Sequence, residues 1–211
     1  MGDARTWLVD TPRGQARVDL TLPAGAPSAL LVLGHGAGGN VDAPDLAAVR
    51  AAVLDAGLAV ARVTQPYRVA GRRSPPPAAH LDEAWTAAVA ELRGGRDRTV
   101  LARLPLVVGG RSSGARVACR TSAATGAAAV VALAFPQHPP GRPERSRGAE
   151  LDTGLPTLVV GGDRDPFGVP DERAGVTVVV RPGERHDLKK DTAAVAAAVL
   201  QFLRARGWTV G

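Results

Sequence analysis

Gly110-Arg111-Ser112-Ser113-Gly114 sets a serine between glycines in a G-x-S-x-G spacing, and that spacing suits acyl chemistry. The apolar run Leu104-Pro105-Leu106-Val107-Val108-Gly109 precedes it, and the small-residue stretch Ala115-Arg116-Val117-Ala118-Cys119-Arg120 follows with a helical texture. A strand, a sharp turn and a helix in that order would lift the Ser112 hydroxyl clear of a sheet, with the glycines leaving room for the turn. A serine hydroxyl is a poor nucleophile at neutral pH. It needs a base to take its proton, and the base needs a group that fixes its tautomer and stabilises its charge.

Of four histidines, His138 and His186 follow the serine. His186 lies in Pro182-Gly183-Glu184-Arg185-His186-Asp187, after the last apolar run and before the last helical pattern, where a base could hang over strand ends. It is read as the base, the alternative being a surface loop histidine. His138 directly follows an apolar run and precedes the acid candidates. Those candidates lie in Gly161-Gly162-Asp163-Arg164-Asp165-Pro166, just after Leu158-Val159-Val160. Asp165 is preferred because it lies further out on the turn and Pro166 stiffens it. Asp163 stays open as a competitor or as a turn residue capping local amides. Asp152 and Asp187 are weaker candidates.

Acyl transfer also needs donors for a developing oxyanion. The amide of Ser113, next to the nucleophile, is one candidate. The glycine-rich stretch His35-Gly36-Ala37-Gly38-Gly39 offers a second, from Ala37 or Gly38. It lacks the GK[ST] ending and the G-x-G-x-x-G spacing of phosphate loops. His35 is read as a brace for that loop. Gln65, Tyr67 and Arg68 follow another apolar run and either line an acyl or leaving-group pocket or pack the loop.

Elements must exist to hold these residues. Gln15 to Leu22 alternates apolar and polar, as a half-exposed antiparallel edge strand does. Continuous apolar runs at 29–34, 58–63, 104–109, 129–135, 156–161 and 176–180 read as buried strands. Helical stripes fall between them: Leu46, Val49, Val53 and Leu54, ending at Gly57; Leu81, Trp85, Val89 and Leu92, ending at Gly94-Gly95; and Val195, Val199, Phe202 and Leu203, opened by Asp191 and closed by Gly207. This alternation predicts an α/β fold, with a mostly parallel sheet of about seven strands flanked by helices. The proline-rich Arg72 to Pro77 is too short to separate domains, so residues 1–211 are expected to form a single domain. The Pro/Arg/Gly-rich loop His138 to Glu150 is too short for a sizeable cap, which leaves a site open or shielded only by loops.

Composition excludes several classes. Apolar residues make up 45% of the 211, within the globular range, and no apolar run reaches the length of a membrane span. The N-terminal residues lack the basic and apolar regions of a secretory leader, and a cytoplasmic location is expected. The single cysteine, Cys119, excludes an internal disulfide and a cysteine-based metal cluster, and is read as a buried, inert thiol. The net charge of +6 is carried mostly by arginine. With aromatics at 3% and no basic helix stripe, a solvated surface is a better reading than nucleic-acid binding. Arg142, Arg145 and Arg147 share one loop and could bias the site towards anions.

LVLGHGAGG (31–39), QPYR (65–68), VVGGRSSGARVA (107–118), GGDRDPFG (161–168) and GERHDLK (183–189) together resemble the α/β-hydrolase superfamily, in its small, cap-less, dienelactone-hydrolase-like branch. More narrowly they resemble the predicted-hydrolase group that includes a domain of a chromatin non-specific-lethal complex subunit. The resemblance runs from about Arg17 to Arg206. It implies the α/β-hydrolase fold, the family's chain order of serine, acid and histidine, and hence Ser112 as nucleophile, Asp165 as acid and His186 as base. Ser113 and the HGAGG turn, with Ala37, would fill the oxyanion role. Dienelactone hydrolases usually carry cysteine as nucleophile, so their lactone specificity does not transfer. The narrower group commonly reads G-x-S-M-G-G-R, and here Ser113 and Ala115 replace the methionine and the second glycine. The expected activity is hydrolysis of small carboxylic esters or thioesters through an acyl-enzyme, without metal or organic cofactor. The alternative is a catalytically silent interaction protein on the same fold.

Overall fold

The computed structural model describes residues 4–94 and 99–210. Eight strands form one sheet in the order β1-β2-β4-β3-β5-β6-β7-β8. They are β1 (Ala4–Thr11), β2 (Gly14–Thr21), β3 (Leu30–Gly34), β4 (Ala59–Thr64), β5 (Leu106–Arg111), β6 (Ala129–Leu133), β7 (Thr157–Gly162) and β8 (Val176–Arg181). From β4 to β8 every neighbouring pair is parallel, whereas β2 runs antiparallel to both β1 and β4. The architecture is the expected α/β one, with eight strands rather than about seven. The extra strand is β1, which pairs with β2 across the Pro12-Arg13 turn. Only Val9 of β1 is buried, so this edge strand lacks the apolar alternation by which strands are recognised.

The helices are α1 (Pro44–Asp55), α2 (Pro66–Val69), α3 (Ala78–Gly94), α4 (Thr99–Arg103), α5 (Ser113–Thr125) and α6 (Thr192–Arg204). Three apolar stripes became α1, α3 and α6. Gly94 is the last residue of α3, and Gly95, its expected partner in the stop, lies outside the described residues. Asp191 caps α6 by accepting from the Ala194 amide at 3.0 Å.

Side chains alternate across the central strands, so each strand feeds two cores. Leu30, Val32, Val108 and Val130 face α3 and α5 with Trp85, Leu92 and Val117. Leu31, Leu33, Val107 and Val131 face α1 and α6 with Leu46, Val53, Val199 and Leu203. Cys119 is buried in the first core, where burial pushes its thiol up to about 12, as its reading as an inert thiol requires. The segment between β6 and β7 carries only a 3₁₀ turn, Gly148–Leu151, and no cap. No helix among the described residues is long and apolar enough to cross a membrane.

Parallel strands end at one edge, and the order β4-β3-β5 places the connections after β3 side by side with the one after β5. Open α/β sheets bind ligands at such an edge.

Candidate active site

The turn from β5 into α5 is tight for a physical reason. A Cβ on Gly110 would lie 2.5 Å from the Gly34 carbonyl oxygen, and one on Gly114 would lie 2.6 Å from the Gly34 carbonyl carbon. Only glycines let α5 start this close to β3. Ser112 occupies the corner with φ 54° and ψ −113°, a conformation that side-chain-bearing residues rarely adopt. Its amide is fixed by the Leu133 carbonyl at 2.9 Å.

His186 comes from the loop between β8 and α6. Its Nε2 lies 2.8 Å from Ser112 Oγ, and its Nδ1 lies 2.7 Å from Asp165 Oδ2. The other Asp165 oxygen accepts from the Phe167 amide at 2.8 Å, and the Asp165 side chain is only 1% exposed. Asp163 does something else: it is exposed and accepts from the Gly183 amide at 2.7 Å, tying the β7 turn to the β8 loop. Thus Ser112, His186 and Asp165 meet, and Asp163 braces. His138 makes neither of these contacts: its Nδ1 lies 2.9 Å from the Pro139 carbonyl oxygen and its Nε2 packs against Gly168.

The HGAGG turn passes over the serine, since a Cβ on Gly36 would lie 3.5 Å from Ser112 Cβ. Neither the Ala37 nor the Ser113 amide has a hydrogen-bond partner among the described residues. Ser113 also opens α5, so its N–H stands at the positive end of the helix dipole. His35 braces the turn as expected. Its Nε2 accepts from the Gln65 amide at 3.0 Å, which leaves the proton on Nδ1 to donate to the Gly36 carbonyl at 2.9 Å. Burial lowers its pKa and favours that neutral form. Tyr67 donates to the Ala37 carbonyl at 2.7 Å, and Gln65 donates to the Leu81 carbonyl at 3.1 Å. Both are buried frame for the turn, whereas Arg68, on the same short helix, stays partly exposed.

Sequence reasoning passed over four residues here. The Phe167 ring stacks on the His186 imidazole, with centroids 4.2 Å apart and planes tilted by 32°. Glu184, buried, accepts from the Lys190 and Asp191 amides and so curls the loop that carries His186. Arg111, the variable residue of the pentapeptide, donates from Nη2 to the His186 carbonyl at 3.0 Å. Its Nε lies 3.3 Å from Oδ2 of the fully buried Asp45. No motif marks these positions. The single available cue was the arginine placed directly before Ser112.

A family model described as an alpha/beta hydrolase domain matches residues 27–194. Comparison with curated proteins gives no match. Among solved structures, a lid-less α/β serine hydrolase from Xanthomonas campestris superposes with a TM-score of 0.78 at 19% identity, over 99% of this chain and 96% of that one. Est1E from Butyrivibrio proteoclasticus gives 0.74 at 17% identity, over 98% and 99%. A dienelactone hydrolase from Anabaena variabilis gives 0.71 at 21% identity, over 99% of both chains. Identities this low carry the fold, and the family model over most of the chain carries membership: this chain belongs to the α/β hydrolase domain family.

Proposed function

We propose that this protein is a serine hydrolase of small carboxylic esters or thioesters, acting through an acyl-enzyme on Ser112. The observation that carries the reading is the continuous path from Asp165 through His186 to Ser112, at 2.7 and 2.8 Å, ending on a serine held at φ 54°. Asp165, accepting from Nδ1–H, fixes the tautomer that leaves Nε2 free to accept. As Ser112 Oγ bonds to the substrate carbonyl carbon, its proton passes to His186 Nε2. The carbonyl electron pair moves onto oxygen, where the Ala37 and Ser113 amides donate to it. The intermediate collapses, the C–O or C–S bond to the leaving group breaks, and His186 returns the proton to that group. Water then attacks the acyl-enzyme, yields a proton to His186, and releases the carboxylic acid as Ser112 recovers its hydrogen.

The structural relatives point the same way, since those described as serine hydrolases and esterases share this fold over nearly the whole chain. Arg68, partly exposed beside the turn, is the proposed substrate contact. Gln65 and Tyr67 support it from below.

The test is a fluorophosphonate probe with mapping of the adduct, alongside hydrolysis of p-nitrophenyl acetate. Labelling at Ser112 that disappears in His186→Ala supports the reading. A folded protein that neither labels nor turns over the ester would leave the alternative, a silent interaction protein on this fold.

A further inference from the structure

Arg111 touches three separate parts of the edge at once. Its backbone ends β5 and leads directly into Ser112. Its guanidinium donates from Nη2 to the His186 carbonyl oxygen at 3.0 Å. A Cβ on Gly39 would come within 4.0 Å of Nη1, so the same group also lies against the HGAGG turn. Asp45, the second residue of α1, faces it from behind with Oδ2 3.3 Å from Nε and no exposure to solvent. Among the described residues no side chain hydrogen-bonds to either Asp45 oxygen; the nearby Asp45 and Leu46 amides favour the carboxylate, and the guanidinium is the charge that compensates it.

The base loop needs such an anchor. Leu188, two residues beyond His186, is held at φ 44°, and the loop has no strand partner of its own. Glu184 secures the loop from within, through the Lys190 and Asp191 amides, and the β7 turn holds its start, through Asp163 on the Gly183 amide and the Arg164 amide on the Glu184 carbonyl. The bond from Arg111 is the one that ties the peptide of the base itself to the residue preceding the nucleophile. A guanidinium is suited to this because its planar fork carries donors in fixed directions and its charge does not titrate away.

We propose that Arg111, locked by the buried Asp45, is a positioning residue: it clamps the main chain of His186 to the elbow and so sets the distance between base and nucleophile. This rests on the serine-hydrolase reading above for its kinetic consequences, though not for its geometry. Catalytic contacts of this kind are sensitive, since a displacement of about 1 Å can cost on the order of a hundredfold in rate.

The clamp has a pH dependence. Burial raises the Asp45 pKa to about 6; Arg111, followed by the Leu46 and Asp45 amides, opposes that shift, and Asp187 from the base loop adds to it. Lys189 pairs with Asp187 at 2.8 Å, and Asp42, ahead of α1, is committed to Arg62 of β4. Arg111 is therefore the cation that acts on Asp45. Below about pH 6 Asp45 becomes neutral and the lock on the guanidinium loosens.

The experiment compares wild type with Arg111→Gln, Arg111→Lys and Asp45→Asn, using p-nitrophenyl acetate kinetics from pH 5 to 8 and the downfield proton NMR signal of the His186–Asp165 hydrogen bond. Arg111→Gln should lower kcat by about ten- to a hundredfold, with KM held within about a factor of two. Its downfield proton should broaden or disappear. Arg111→Lys, which keeps the charge and one donor, should recover part of both. Asp45→Asn should run several-fold below wild type at pH 8 and converge with it near pH 5, where the wild-type carboxyl is itself neutral. A merely structural role would leave that convergence out. An Arg111→Gln protein with wild-type kcat and an unchanged downfield proton would overturn the proposal, as would Asp45→Asn running parallel to wild type across the pH range. If wild type neither labels nor turns over the ester, the hydrolase reading falls. The NMR comparison then still decides whether Arg111 holds His186.

Discussion

Ser112 carries its backbone in a strained corner, and the strain sits where a hydroxyl must stand clear of both sheet and helix. Its partners arrive by separate routes, and their roles separate by geometry. Asp165 is bonded to the imidazole, whereas Asp163 reaches only the Gly183 amide. Asp165→Asn should therefore lower kcat for p-nitrophenyl acetate by about a thousandfold or more, because the amide stabilises the wrong tautomer, while Asp163→Asn should stay within about tenfold. Steady-state rates of the two variants decide it, and the reverse order would move the acid to Asp163. Phe167 restrains the imidazole from one face, so Phe167→Ala should reduce kcat more than it changes KM. At the same scale Cys119 gives a chemical check. A thiol pushed up to about 12 and buried in the core should resist thiol reagents in the native protein and react only after denaturation. Fast labelling of native protein would mean that α5 opens readily.

At the scale of elements, close approach is what the glycines allow. Gly114→Ala would drive a methyl group into the Gly34 carbonyl, forcing α5 away from β3, at a cost of about 1–3 kcal/mol. The melting temperature should fall and activity should fall with it. The N-terminus of α1 makes an opposite prediction. A carboxyl whose folded pKa is raised adds stability that is present below its unfolded pKa and is lost as pH rises through the folded value. For Asp45 that window runs from 3.8 to about 6. Asp45→Asn should accordingly compare better with wild type in melting temperature at pH 8 than at pH 4, even though it loses activity at pH 8. Stability would be exchanged for position, as at other functional sites. These elements also show what the sequence made legible. Continuous apolar runs marked the buried strands because both faces of those strands are covered. Ser112, Asp165 and His186, which meet in the structure, could be singled out because glycine, proline and polar residues punctuate strand ends. β1 escaped because an edge strand with one buried residue has no period to read. α2 and α4, at four and five residues, are too short to show a stripe. Arg111, Asp45 and Phe167 escaped for another reason: their contacts cross between connections 66, 75 and 19 residues apart or meet only through packing, and no local spacing encodes that.

The molecule as a whole presents the edge that carries Ser112 without a cover, as only loops and one 3₁₀ turn stand between β6 and β7. With no lid to supply an apolar wall, rates on p-nitrophenyl esters should decline from acetate to decanoate, and faster turnover of decanoate than of acetate would point to an apolar surface supplied by something else. The bare edge has a further consequence, in time rather than in space. Enzymes that shut over their substrates often spend most of each cycle waiting for a segment to swing aside, and solvent friction slows that wait. Among the described residues the frame rests on glycine contacts, a buried ion pair and a stacked ring, with no lid above it. Raising the viscosity about threefold with sucrose should leave kcat unchanged, so that the pace of each turnover is set by bond-making alone. A kcat that falls in proportion to viscosity would expose a hidden gate among the loops.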